Sequence, residues 1–170
     1  MNLEAHIRDI PDFPKPGIVF KDITPLLGDP EAFDVSISEL TKPFRDEGID
    51  AVVGIESRGF IFGAVVAREL GVGFIPVRKP GKLPADTLSV SYALEYGEDT
   101  VEIHRDALSE GQEVLIVDDV LATGGTMAAT CELVEKTGAR IMGVAFLVEL
   151  GFLNGRSKLD GHAIHSVLTY

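Results

Sequence analysis

Two adjacent carboxylates, Asp118 and Asp119, end the apolar run Val114-Leu115-Ile116-Val117, and four residues after them begins the turn Thr123-Gly124-Gly125-Thr126. A strand that runs into such a loop can bind an anion. The backbone amides of Ala122, Thr123, Gly124, Gly125 and Thr126 can converge on one phosphate where the loop becomes a helix, whose positive end adds to the attraction. The glycines tolerate positive φ and close ligand approach, and the threonine hydroxyls donate further hydrogen bonds. Upstream, the two carboxylates offer acceptors suited to sugar hydroxyls or to a metal-bound sugar. A phosphate beside a sugar implies a ribose 5-phosphate moiety.

Other phosphate motifs are missing. The loop lacks the lysine of G-x-x-x-x-G-K-[ST], and the one G-x-G start, Gly71-Val72-Gly73, precedes a strand and has Pro76 in place of the third glycine. The four histidines make no metal set, since His162 and His165 have no third ligand nearby. Cys131 cannot form an internal disulfide and reads as a small apolar helix residue.

The elements around the loop must position it. Alternation of apolar runs at 51–55, 72–78, 113–119 and 140–148 with helical patterns at 60–70 and 126–136 predicts an α/β fold, a mostly parallel open sheet with helices on both faces. In such sheets ligands lie beyond the carboxyl ends of the strands, where Asp118 to Thr126 falls. A short helical pattern covers 3–10, and Asp29 with Pro30 caps an amphipathic helix expected to reach Gly48, bent by Pro43. The segment PDFPKPGIVFKDITP has four prolines and reads as a packed, irregular cap. The tract from Lys79 to Gly97 interrupts the α/β rhythm, and so long an excursion is usually functional or mobile.

Bulk properties narrow the partners. The chain of 170 residues suffices for one domain, 1–170. A net charge of −12 without any basic run argues against nucleic acid, and no apolar run is long enough for a membrane span. A cytoplasmic protein is expected.

LIVDDVLATGGT closely resembles the signature of the type I phosphoribosyltransferases, where it holds the 5-phosphate and ribose of phosphoribosyl pyrophosphate. PDFPKPGIVFKDITPLL, GIESRGFIFG, VRKPGKLP, SYALEYG and FLVEL, in that order, are similar to the adenine branch of that family and cover nearly the whole chain. The resemblance implies an N-terminal hood over 1–30, with backbone groups around Val19 and Lys21 reading adenine and Phe20 and Leu150 lining its ring. Lys21 stands where some members have arginine.

It also implies a pyrophosphate turn at Glu56-Ser57-Arg58-Gly59 with a cis peptide at Glu56-Ser57, and a mobile catalytic loop at about 79–100. In this reading Ser57, Arg58, Lys79 and Lys82 hold pyrophosphate, Glu95 manages a proton on the purine, and Tyr96 supports the loop. Mg²⁺ would be held mainly by substrate, with no direct protein ligand, and a homodimer is expected. The products would be AMP and pyrophosphate. Two rivals stay open on these residues: transfer to a 6-oxopurine, and a nucleic-acid-binding regulator that keeps the phosphoribosyl site.

Overall fold

The computed structural model describes all residues, 1–170. The chain divides into two compact units, Met1–Glu39 and Leu40–Tyr170.

In the first unit a 3₁₀ turn over Leu3–His6 leads into β1 (Arg8–Pro11), which pairs antiparallel with β2 (Val19–Asp22). The helical pattern expected over 3–10 therefore stops at His6. Arg8 and Asp9 instead face Asp22 and Lys21 across the ribbon, and both pairs are ionic at 2.6 Å. The Thr24 amide and the Arg8 guanidinium hold the Asp22 carboxyl down at about 2. Phe13 and Phe20 meet edge to face at 5.2 Å across the proline-rich connection. Helix α1 (Thr24–Gly28) is short, and α2 (Pro30–Thr41) begins as expected: Asp29 accepts from the amides of Glu31 and Ala32 at 3.0 and 3.1 Å. The helix ends before Gly48, at Thr41, because Pro43 lacks the N–H an α-helix needs, and Lys42–Phe44 tightens into a 3₁₀ turn.

The second unit is built on β3 (Ala51–Ile55), α3 (Arg58–Leu70), β4 (Gly73–Val77), the hairpin β5 (Thr87–Leu94) and β6 (Gly97–His104), β7 (Glu113–Leu121), α4 (Gly125–Lys136), β8 (Arg140–Glu149) and β9 (Ile164–Thr169). The order β4-β3-β7-β8-β9 forms one parallel sheet. Successive side chains of a strand point to opposite faces, so the buried runs of β3 and β7 serve two layers. Val53, Ile55, Val114 and Ile116 join Met127, Cys131, Leu133 and Val134 of α4 and Val90, Val101 and Ile103 of the hairpin. On the other face Gly54 of β3 and Gly63 of α3 close on the Phe74 ring, beside buried Phe62 and Val66. Adding a Cβ to Gly63 would bring it within 2.9 Å of that ring.

The tract after Lys79 is more ordered than its composition suggests. From Thr87 it is a regular antiparallel hairpin, in register from Thr87↔His104 to Leu94↔Gly97. No helix is long and apolar enough to cross a membrane.

Cys131 is 3% exposed, and burial pushes its thiol up to about 12. The thiolate is the reactive form. Ellman's reagent near pH 8 is expected to leave Cys131 unmodified in the native protein and to titrate it fully in denaturant. Rapid labelling of the native chain would show that the α4 face opens.

Candidate active site

The sheet order reverses between β3 and β7: the chain passes from β3 outward to β4, and from β7 outward to β8 on the other side. Helices α3 and α4 consequently cover opposite faces, and a crevice opens at the carboxyl ends of β3 and β7. The turn after β3 and the loop after β7 are two of the segments read from the sequence as chemical. They meet there.

The β3 turn carries a cis peptide at Glu56-Ser57, as expected. Arg58 opens α3, and its Nε lies 2.7 Å from Oδ2 of Asp119. Asp119 is 6% exposed and Arg58 is half-buried, so this ion pair spans the crevice. Gly59 makes the approach possible: a Cβ there would fall 2.6 Å from Oδ1 of Asp118. Enclosure and the neighbouring Asp119 push the Asp118 carboxyl well above the usual carboxylate range, with Arg58 opposing. Oδ1 of Asp118 accepts from the Asp119 amide at 2.9 Å.

Beyond the carboxylates, the loop from Ala122 to Thr126 lines a concavity of about 90 Å³. That is well above the roughly 10–15 Å³ that one water needs on the same measure, and gives room for a small polyatomic group. Gly124 caps α4 at φ +84°, a backbone state that glycine adopts readily. The first-turn amides of α4, which belong to Gly125, Thr126 and Met127 lining the concavity, have no partner within the helix, and the helix's positive end lies with them. Thr130 donates its hydroxyl to the Thr126 carbonyl at 2.8 Å, fixing the turn from beneath.

The hairpin is tied to this cradle. The hydroxyls of Tyr92 and Thr126 are 2.9 Å apart, and Tyr92 donates to Asp99 at 3.1 Å. Lys79 bonds Asp99 directly, which holds that carboxyl below its usual range. The amide of Lys79 donates to Oε1 of Glu56 at 2.6 Å, joining the tract to the β3 turn. Glu95, in the two-residue hairpin turn, lines a cleft of about 380 Å³ with Thr123, Gly125 and Thr126.

Not every expected residue is drawn in. Lys82 stands exposed in its turn, and Tyr96 is 86% exposed. In this structure the hairpin side chain that bonds the cradle is Tyr92, an inward position of the Leu88-Val90-Tyr92 alternation. Leu150, half-buried just after β8, donates its amide to the Leu121 carbonyl at 2.9 Å. In the first unit Val19 is 48% exposed, Phe20 packs on Phe13, and the Lys21 ammonium bonds Asp9.

Glu56, Tyr92 and Asp99 were not foreseen as site residues. Glu56 lies inside the GIESRG motif and Tyr92 opens the YALEYG run, so the signal for both was at hand. The place of Asp99 depends on hairpin register. No group of three His, Cys, Asp or Glu side chains is arranged to hold a metal. Two carboxylates, one of them paired with Arg58, fall short of the six oxygens Mg²⁺ demands and suit an ion that brings substrate oxygens with it.

A phosphoribosyl transferase domain model matches residues 30–163. An adenine phosphoribosyltransferase of Kosmotoga olearia is 59% identical over the full length of both chains. One from Nitrosococcus oceani is 58% identical, over 99% of this chain and 98% of its own. The crystal structure of the Thermoanaerobacter pseudethanolicus adenine phosphoribosyltransferase, 56% identical, superposes with a TM-score of 0.96 over 99% of this chain and 98% of that one. With identity above one half over its whole length and the same fold, the chain belongs to the adenine phosphoribosyltransferases of the type I phosphoribosyltransferase family.

Proposed function

We infer that this chain transfers the 5-phosphoribosyl group of phosphoribosyl pyrophosphate to N9 of adenine, giving AMP and pyrophosphate. The observation that carries this reading is the junction of the carboxylate pair, the phosphate cradle and the Arg58 turn across one crevice. The C1–oxygen bond of the sugar breaks with its electron pair leaving on pyrophosphate, and the N9 lone pair forms the new bond. Adenine gives up one proton, for which Glu95 is the acceptor we assign.

The cradle from Ala122 to Thr126 anchors the 5-phosphate, and Asp118 and Asp119 take the ribose hydroxyls. Anchoring both ends of the sugar presents C1 to the base in a fixed orientation. Ser57, Arg58, Lys79 and Lys82 take the pyrophosphate, which arrives with Mg²⁺ as part of the substrate. Arg58 would exchange Asp119 for the leaving group. Lys79 would exchange Asp99 likewise, freeing the hairpin to close and exclude water. The hood supplies the backbone of Val19 and Lys21 and the ring of Phe20 to the adenine, and Leu150 supplies apolar surface. A homodimer in the cytoplasm is the form in which we place this activity.

Turnover with phosphoribosyl pyrophosphate and Mg²⁺ against adenine, hypoxanthine, guanine and xanthine tests the reading. AMP from adenine alone, abolished by EDTA, is expected. A 6-oxopurine product would overturn the assignment of the base, and binding of phosphoribosyl pyrophosphate without turnover would point to a regulator. Glu95→Gln is expected to lower kcat about 100-fold, the lower end for a positioned proton acceptor, with AMP affinity retained. An unchanged kcat would remove Glu95 from the mechanism.

A further inference from the structure

The phosphate cradle is short of positive charge. Its loop contains no lysine or arginine, and the carboxylates just before it are negative. The nearby cations are already engaged: Arg58 by Asp119, Lys79 by Asp99, and Arg156 by Glu149. In a chain of net charge −12, a dianionic phosphate would meet a site whose attraction rests on amides, hydroxyls and a helix end alone. Lys158 is the exception.

Lys158 ends the 3₁₀ turn Gly155–Lys158 and has no carboxylate partner. It lines the cleft that Thr123, Gly125 and Thr126 also line, and is the one cation among the residues lining that cleft or the cradle concavity. Its Nζ lies 4.0 Å from where a Cβ on Gly125 would stand. A longer residue at 125 would therefore crowd the ammonium, whereas glycine leaves it a path to the cradle.

The position is enforced from below. Glu149, 5% exposed at the end of β8, accepts both Nε and Nη2 of Arg156 at 2.7 Å and the Ser166 hydroxyl at 2.6 Å. The fork is bidentate, so it fixes direction as well as distance. Two residues before Lys158, that clamp sets the turn. Gly155 then seats the turn against the loop: a Cβ on Gly155 would overlap the Ala122 carbonyl, and one on Gly124 would overlap the Gly155 carbonyl. Backbone against backbone leaves no slack.

We propose that Lys158 is a binding residue for the 5-phosphate, a cation delivered to the cradle from the C-terminal segment in place of the lysine that the loop itself lacks. This rests on the reading of the cradle as the 5-phosphate site. The ammonium acts as a point charge beside amide donors that fix geometry, so its loss weakens every ligand carrying the 5-phosphate and none that lacks it. Glu95 shares the cleft, and a bound phosphate would offer the lysine two negative charges against the one of that carboxylate.

Calorimetric titration of AMP and of Mg²⁺-pyrophosphate into Lys158→Ala, Lys158→Gln and Lys158→Arg, beside steady-state kinetics, tests this. Alanine and glutamine are expected to weaken AMP about 10-fold and to raise KM for phosphoribosyl pyrophosphate similarly, the scale of one charge-assisted hydrogen bond. Pyrophosphate affinity, kcat and the pH profile of kcat stay unchanged, and arginine restores most of the AMP affinity. The side chain is exposed, so all three variants are expected to fold, with melting curves as the check. AMP affinity within twofold of the parent would overturn the proposal, as would equal losses for AMP and pyrophosphate. A shifted pH profile of kcat would instead assign Lys158 to Glu95. If the parent protein makes no AMP, the cradle reading fails first, and that result is separate from any effect of the variants.

Discussion

Gly124→Ala is expected to lower kcat/KM for phosphoribosyl pyrophosphate about 1,000-fold and to destabilise the protein by about 2–4 kcal/mol. Two independent costs meet at this position. Gly124 sits at φ +84°, where an L side chain costs roughly 1–2 kcal/mol. Its added Cβ would also drive into the Gly155 backbone carbonyl, which has no rotamer by which to escape. The loop must move, and the amides that converge on the phosphate move with it. Losing two or three hydrogen bonds to a charged group, at about 1.5–3 kcal/mol each, accounts for the loss of activity. Gly71→Ala separates the two costs. Gly71 has φ +73° but nothing within 4 Å of a new Cβ, so that variant should lose only about 1 kcal/mol and keep full activity. Urea unfolding and kinetics on both variants check this, and a Gly124→Ala enzyme with the parent KM would show that the cradle is not the phosphate site.

The same contacts explain what the sequence could and could not tell. Asp118 to Thr126 was legible because every signal in it is local: an apolar strand, two carboxylates where the strand leaves the core, and glycines at a helix start. The β3 turn and the capping of α2 by Asp29 are local in the same sense. The hairpin was harder. Leu88, Val90 and Tyr92 alternate with Ser89 and Ser91, but of β5 only Val90 is buried, so the apolar signal is weak and the Pro/Gly-rich approach masks it. The strand β1, Arg-Asp-Ile-Pro, has almost no apolar pattern, since it is held by ion pairs to β2. Least legible of all was the C-terminal clamp. Glu149, Arg156 and Ser166 lie 7 and 10 residues apart, a spacing that fits no element, and only the parallel β8–β9 pairing brings them together. A role for Lys158 follows from that clamp and from the close approach of two glycines, neither of which a single sequence displays.

Asp118→Asn is expected to separate stability from activity. Enclosure and Asp119 raise the Asp118 carboxyl above its ordinary value of 3.8, so the folded chain binds that proton more tightly than the unfolded chain does. The sign follows from linkage: the native state loses stability as pH climbs from the ordinary value up through the raised one, because the charged form is disfavoured inside. Asparagine has the same shape and no charge, and its oxygen can still accept from the Asp119 amide. The variant should melt a few degrees higher than the parent near pH 8, at about 2–4 °C per kcal/mol for a domain of this size. The gain should shrink toward pH 4, where the parent carboxyl is protonated as well. Catalysis should move the other way. A carboxylate accepts two hydrogen bonds from vicinal hydroxyls and opposes the charge that develops on the sugar, whereas an amide offers one oxygen and no charge. A loss of several hundred-fold in kcat/KM for phosphoribosyl pyrophosphate follows from about 3–4 kcal/mol of lost interaction. Melting curves across that pH range, with kinetics at each pH, test both halves. A variant less stable at high pH would show that Arg58 outweighs burial at this carboxyl, and an active one would take Asp118 out of contact with the ribose.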